Sequence, residues 1–416
     1  MYDLDLSEIY FNLYPNAFEQ NGGNITLLSI KANQEDIKFE YVKSDELKVT
    51  LQEALRQGNS IVFDMEYVVA IPSMESRFGY DQTVFNLGNF YITPNLFDND
   101  WTINEHSIIG ESFTSEIAEY YVNIHAPESY TIASTGAFKE ENKCYSYAAR
   151  DFALFFSDQH SVHIEMIDDI QVKYYYTNGH GKYLSHFSET VQKALTLYNK
   201  IFMEYPFENL SIVFTDLGYI GGMEYSNLVF IDINSLLNLT SFELVEKEID
   251  RLIVHEIAHQ WFYNIVGNNQ ATEPWLDEAF ATYAETLFFR EYESLSMDSL
   301  ETIHNDVMGR YKKGEPTSIA HSVYEYSSKY DYLQNVYVEG ASFLYQLEKA
   351  IGRDTFILLL QNYINEFEFD IVNTDSFIQY WSNATEVDLS QLFSIYLSRS
   401  YVNSNGSAPP LPELSD

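Results

Sequence analysis

The chain has 416 residues, 46% of them hydrophobic and 16% aromatic, a usage that excludes a disordered protein and leaves room for two or three domains of roughly 100–200 residues each. Sixty-two acidic against 23 basic side chains give a formal charge of −39, a field that repels phosphate backbones and anionic headgroups and draws in cationic groups such as the free amine of a peptide. Nucleic acid is not expected as a partner. The single cysteine, Cys144, cannot close an intrachain disulfide, and the Cys/His spacings of zinc fingers do not occur. No apolar run approaches the ~18–20 residues of a membrane span, so no transmembrane segment is expected. Met1-Tyr2-Asp3-Leu4-Asp5 lacks the basic and apolar parts of a signal peptide. As it stands the chain reads as soluble: cytoplasmic or, if a leader or anchor has been removed, extracellular or membrane-tethered. Composition fixes neither the compartment nor the oligomeric state.

From about residue 24 to 150 the pattern is period-two, as in Ile37-Lys38-Phe39-Glu40-Tyr41, Ile61-Val62-Phe63-Asp64-Met65-Glu66-Tyr67 and Glu119-Tyr120-Tyr121-Val122-Asn123-Ile124. Alternating β-branched and aromatic residues between Gly, Asn and Pro predict antiparallel strands. Cys144 lies in a polar stretch among them and reads as an incidental strand or turn residue. The texture changes around Asp151-Phe152-Ala153-Leu154-Phe155-Phe156, and after Gly181 the spacing becomes helical, from Tyr183-Leu184 through Lys200-Ile201. Two strands of the buried type follow, Leu210-Ser211-Ile212-Val213-Phe214 and Leu228-Val229-Phe230-Ile231-Asp232, separated by the glycine-rich turn that runs from Gly218 to Glu224. Beyond residue 240 nearly everything is helical. The fold class is α+β, with an antiparallel β domain over 1–155, a mainly helical domain with a small sheet over 156–401, and a flexible polar tail over 402–416.

The chemistry is concentrated in His255-Glu256-Ile257-Ala258-His259. Thr240-Ser241-Phe242-Glu243 has capping-box spacing and Gly267 stands where a C-terminal glycine would close a helix, so one helix is predicted over about 241–266. In it His255 and His259 are i and i+4, so both imidazoles share a face and can reach one ion at about 2.0–2.1 Å. A second helix is predicted from Thr272-Glu273-Pro274-Trp275, with Thr272 as N-cap, and it carries Glu278 in its second turn. Two imidazoles and a carboxylate leave a fourth position for water, which is the open form of a catalytic zinc site. Glu256 is placed to take that water's proton and pass it to a leaving amine. Glu285, seven residues beyond Glu278, either hydrogen-bonds a ligand histidine or is an ordinary solvated helix carboxylate.

These motifs together resemble the M1 family of zinc aminopeptidases, the gluzincins. The resemblance rests on Gly221-Gly222-Met223-Glu224-Tyr225, on the His255–His259 motif with Glu278 in Trp275-Leu276-Asp277-Glu278-Ala279-Phe280-Ala281, and on Tyr337-Val338-Glu339-Gly340-Ala341. Tyr120-Tyr121-Val122-Asn123-Ile124-His125-Ala126-Pro127 and Ile351-Gly352-Arg353-Asp354-Thr355-Phe356 extend it over nearly all the chain. It implies a thermolysin-like catalytic domain, one Zn²⁺ per chain and peptide substrates with a free N-terminus. It further implies that Glu224 binds the α-amine, with Gly221, Gly222 and Met223 lining the substrate, and that Tyr337 stabilises the oxyanion. Read without the family, the 221–224 segment is a β-turn with an exposed glutamate. Asp277 stands where the family usually has asparagine, which keeps the ligand but alters the hydrogen bonding beside it. For the second family element that contacts the amine, Gln82 is the candidate in the β domain. The first strands of the β domain and the helical C-terminal domain that covers the site in many members are expected to be missing, giving a more open cleft. The alternatives are a thermolysin-like endopeptidase and a catalytically idle M1-like scaffold.

Overall fold

A computed structural model of the chain describes residues 5–218, 221–233 and 242–398. They divide into two compact units: one of residues up to 106, 113–200 and 204–265, the other of residues 107–112, 201–203 and those from 266 onward.

The first unit begins with antiparallel sheets. Leu6–Asn12 pairs with Glu46–Leu55 so that Ile9 faces Val49 and Phe11 faces Leu47, and these side chains with Leu13, Ile25, Ile30 and Leu51 form a buried core. Phe63–Ala70 keeps the predicted alternation, turning Phe63, Met65, Tyr67 and Val69 onto that core. Lys38–Lys43 is an edge strand exposed along its whole length, so its alternating sequence buries neither face. Cys144 is buried, because Lys143–Ala149 turns it inward beside Ser134 and its thiol donates to the Thr135 carbonyl at 2.9 Å. Gln82 occupies an exposed hairpin turn between Phe78–Asp81 and Val84–Leu87, at the left-handed φ of 50°.

A mixed five-stranded sheet follows. Ile170–Tyr176, Asn209–Thr215 and Leu228–Asp232 run parallel, and the last two are buried at every residue, as expected of strands covered on both faces. Parallel neighbours require a crossover, which α1 (Leu184–Ile201) supplies between the first two. Phe187 of α1 stacks on Phe214 of the sheet with centroids 4.1 Å apart. The two-residue strand Gly222–Met223 closes one edge, antiparallel to Leu228–Asp232.

The metal-motif helix, α2 (Phe242–Ala258), ends eight residues before the predicted limit. Beyond Ala258 the backbone tightens, with Gln260 N donating to Ile257 O and Trp261 N to Ala258 O, both at 3.0 Å. Tyr263 then sits at a φ of 134°. Gly267 is not the closing glycine: it belongs to a short strand, Gly267–Asn268, paired with Ile371–Val372 in the second unit. Tyr219, Ile220, Thr240 and Ser241, and with the latter two the proposed capping box, lie outside the described residues, as does the tail over 402–416.

In the second unit α3 (Trp275–Tyr292) is the central helix, with thirteen of its eighteen residues buried. Thr272 does not cap it. Pro274 holds the N-cap position, and the Thr272 N–H is used locally on the Asn269 carbonyl at 3.1 Å. α4 (Asp298–Lys312), α5 (Lys329–Tyr332), α6 (Gly340–Ile351), α7 (Arg353–Glu366), α8 (Thr374–Ala384) and α9 (Ser390–Tyr396) complete the unit. Trp275 anchors α3 through edge contacts with Phe343 and Phe377, and its indole N–H donates to Thr374 Oγ1 at 3.0 Å.

Candidate active site

α2 lies deep in the first unit, with Ile253, Val254, Ile257 and Ala258 fully buried around the motif. Its i, i+4 spacing brings His255 Nε2 and His259 Nε2 to 3.1 Å, both rings buried. His259 Nδ1 lies 2.9 Å from the Phe262 carbonyl. A carbonyl only accepts, so Nδ1 carries the proton and Nε2 keeps its lone pair for a ligand. Two imidazole nitrogens bound at about 2.0–2.1 Å to a tetrahedral ion stand about 3.3 Å apart, so this pair fits zinc.

Glu224 is buried, which overturns the reading of the 221–224 segment as a turn with an exposed carboxylate. Gly221 takes a φ of 94°, and its carbonyl accepts from Asp232 N at 2.8 Å, starting the edge strand. Gly222 passes over the Glu256 carboxylate so closely that a Cβ there would stand 2.1 Å from Glu256 Oε1. Met223 is buried in the core beneath, its sulfur accepting from the Arg77 guanidinium at 3.3 Å. One ligand-type atom from each of Glu224, Glu256 and His259 lies within 4.8 Å of the others. The first unit thus brings four predicted residues together, namely Glu224, His255, Glu256 and His259.

Three residues that sequence reasoning missed hold this group in place. Gln260, next to His259, accepts from Asn227 N at 2.9 Å and donates to the Tyr225 carbonyl at 3.2 Å, joining the end of the metal helix to the Glu224 segment. Asp151 accepts from Ser226 N at 3.0 Å and from the Tyr263 hydroxyl at 2.5 Å. Burial, reinforced by the nearby Glu224 charge and opposed by these hydrogen bonds, pushes the Asp151 carboxyl up to about 6. Arg150, itself buried, donates to the carbonyls of Tyr263, Ile265 and Ser115. Arg150 and Asp151 stand at the change of texture near residue 151, which does not mark their role, and Gln260 carries no sequence signal beyond adjoining His259.

In the second unit Asp277 and Glu278 occupy the first turn of α3, one turn earlier than predicted, and both are buried. Asp277 Oδ1 accepts from Asn268 Nδ2 at 3.1 Å and from Glu278 N at 2.9 Å, while Oδ2 accepts from Gln270 Nε2 at 2.9 Å. Two acceptor oxygens thus satisfy three donors and lock the helix start to the preceding loop. Tyr337 lies in a π-helical turn, Leu333–Glu339, and its hydroxyl donates to Glu278 Oε1 at 2.5 Å. Such turns recur at functional sites. Gly340, the first residue of α6, packs against the same stretch of α3: a Cβ there would lie 2.5 Å from that of Ala279. Glu285 is buried, so its solvated reading does not hold.

Comparison with known proteins adds the family. Mitochondrial aminopeptidase 2 of Saccharomyces cerevisiae is 25% identical over 250 residues, which cover 55% of this chain and 25% of that protein. Human aminopeptidase RNPEPL1 is 29% identical over 242 residues, covering 55% of this chain and 32% of its own. The chain thus spans about a quarter to a third of the length of these curated relatives. Among solved structures, the M1 zinc metallopeptidase of Deinococcus radiodurans superposes with a TM-score of 0.67 over 98% of this chain and 88% of that one, at 18% identity. A point mutant of the Deinococcus enzyme bound to a Tyr-Ser-Ala substrate superposes at 0.66, again at 18% identity, over 99% of this chain and 89% of that one. These likenesses confirm the fold, with its antiparallel sheets followed by helices. The model of the peptidase family M1 domain matches residues 187–396, half of the sequence, and the chain belongs to that family.

Proposed function

We propose that this chain is a zinc-dependent aminopeptidase that removes N-terminal residues from peptides bearing a free amine. The observation that carries the reading is the buried convergence of Glu224, Glu256 and His259 within 4.8 Å. A carboxylate fixed beside the metal helix can hold an α-ammonium, and so measures one residue from the end of a substrate. The family's curated relatives, named as aminopeptidases, support the same reading.

In this reading His255, His259 and Glu278 hold one zinc ion per chain, as their spacing and the family imply. When bound, the ion supplies Lewis acidity to water and to the scissile carbonyl. Glu256 takes the proton of the attacking water and delivers it to the leaving amine. Tyr337 donates its hydroxyl to the oxyanion as charge develops there. Gly221, Gly222 and Met223 present backbone to the substrate beside Glu224. Asp277 fixes the start of the helix that carries Glu278, and Glu285 supports a ligand histidine through a hydrogen bond. The catalytic domain is assigned to residues 156–401 and the N-terminal β domain to 1–155. Among the described residues no helix is long and apolar enough to cross a membrane.

The test is hydrolysis of amino-acid arylamides and short peptides by the purified, metal-analysed protein, before and after chelation. Activity that is lost on chelation and restored by zinc, together with failure to cut N-acetylated peptides, is the expected result. An acetylated peptide cut as fast as the free one would move the chain to the endopeptidases and remove Glu224 from its role. A zinc-loaded protein inert on all substrates would leave a binding scaffold.

A further inference from the structure

Asp151 joins the two segments on which recognition of a free N-terminus depends. One oxygen of its carboxylate takes Ser226 N, two residues beyond Glu224, and the other takes the hydroxyl of Tyr263, four residues beyond His259. Neighbouring contacts reinforce both ends. Arg150 N donates to Ser226 Oγ at 3.1 Å, and the Arg150 guanidinium grips the carbonyls of Tyr263 and Ile265. The turn it grips is strained: Tyr263 has a φ of 134°, where bulky side chains are genuine outliers, and such conformations persist only when their surroundings over-determine them.

We propose that Asp151 is a positioning residue for the α-amine site, acting through Ser226 and Tyr263 to hold the Glu224 carboxylate at a fixed distance from the metal helix. The proposal rests on the reading of Glu224 given above. A carboxylate suits the task because both of its partners are donors, and asparagine offers one acceptor oxygen where two are needed. Its burial, at 3% exposure, keeps water from replacing either strap. The charge also lies close enough to interact with that of Glu224, adding negative potential to the site proposed for a substrate ammonium.

The experiment compares zinc-loaded wild type, Asp151→Asn and Tyr263→Phe by calorimetric affinity for two inhibitors: an amino-acid hydroxamate, and its des-amino analogue, which has the same metal-binding group but no amine. Asp151→Asn is expected to weaken the amine-bearing inhibitor by about tenfold or more, equivalent to ~1.4 kcal/mol, and to leave the des-amino inhibitor nearly unchanged. Tyr263→Phe removes one strap and keeps the charge, so it shifts the same ratio by a smaller factor, and it carries the test alone if Asp151→Asn does not fold. An equal loss for both inhibitors, or no loss for either, overturns the proposal. Glu224→Gln is measured alongside. If it discriminates between the inhibitors and Asp151→Asn does not, the proposal fails while the reading of Glu224 stands. If it too treats them alike, that reading fails and takes the proposal with it.

Discussion

Tyr337 donates its hydroxyl to Glu278 Oε1 at 2.5 Å. The donor assigned to the oxyanion therefore rests on the carboxylate assigned to the metal, within one unit and without any change of fold. In the proposed mechanism this hydroxyl leaves Glu278 for the charge that develops on the oxyanion in the transition state. Tyr337→Phe is expected to lower kcat by ~10²-fold or more with little change in KM and full zinc content. Steady-state kinetics with metal analysis checks this, and a variant of wild-type rate would assign the oxyanion to another donor.

Gly222 sets the position of Glu256. Its missing side chain is what lets the edge strand pass over the carboxylate assigned as the base, since a Cβ would stand 2.1 Å from Glu256 Oε1. Gly222→Ala forces Glu256 aside, and a displacement of about 1 Å in a catalytic group costs on the order of 10²-fold in rate. The expected outcome is a fall of that size in kcat, with zinc retained and the fold intact by circular dichroism. Glu256→Gln, which keeps the shape and removes the base, is expected to keep zinc and lose turnover.

The sequence discloses the parts of this site that are local and hides those that are not. The i, i+4 spacing of His255 and His259 needs only the end of α2 and the residue after it to bring their nitrogens to 3.1 Å, and the apolar runs at 210–214 and 228–232 suffice to mark buried strands. Asp151 was invisible because its partners lie 75 and 112 residues away, and Gln260 because it bonds to residues 33 and 35 positions distant. Gly267 misled for the same reason. A glycine after a helix usually closes it, but pairing with Ile371 drew this one into a strand, and the helix had already ended at Ala258. Glu224 looked like a turn residue because glycines precede it, whereas the chain there forms the sheet edge Gly222–Met223 and Glu224 is buried just after it. Cys144 sits among polar neighbours, yet strand alternation turns it inward.

Gly340 marks a second close approach. A Cβ there would lie 2.5 Å from Ala279 Cβ, the residue that follows Glu278 on α3. Gly340→Ala overpacks this helix contact, at a cost of about 1–3 kcal/mol. Thermal denaturation is expected to show a melting temperature lower by several degrees, roughly 2–4 °C per kcal/mol in a unit of this size. An unchanged melting temperature would mean that α6 moves aside freely.

α1 and α2 are joined by a contact that depends on pH. His186 Nε2 lies 2.8 Å from Asp250 Oδ1, with Glu246 at 4.0 Å from the other ring nitrogen. The Asp250 hydrogen bond is the main cause that holds the imidazole above its usual value, against an opposing effect of burial, and the Asp250, Glu246 and Glu189 charges add to the rise. A histidine whose pKa is raised by folding binds its proton more tightly in the folded state. Its stabilisation is therefore complete below the unfolded value near 6.5 and disappears as pH rises through the folded value. His186→Gln should thus be less stable than wild type at about pH 6 and close to it at about pH 9. The pair is partly solvated and screened, so the difference at the lower pH is expected to be ~1 kcal/mol or less. Urea unfolding of both proteins at the two pH values measures it. A difference of equal size at both would show that His186 acts through packing and not through its charge.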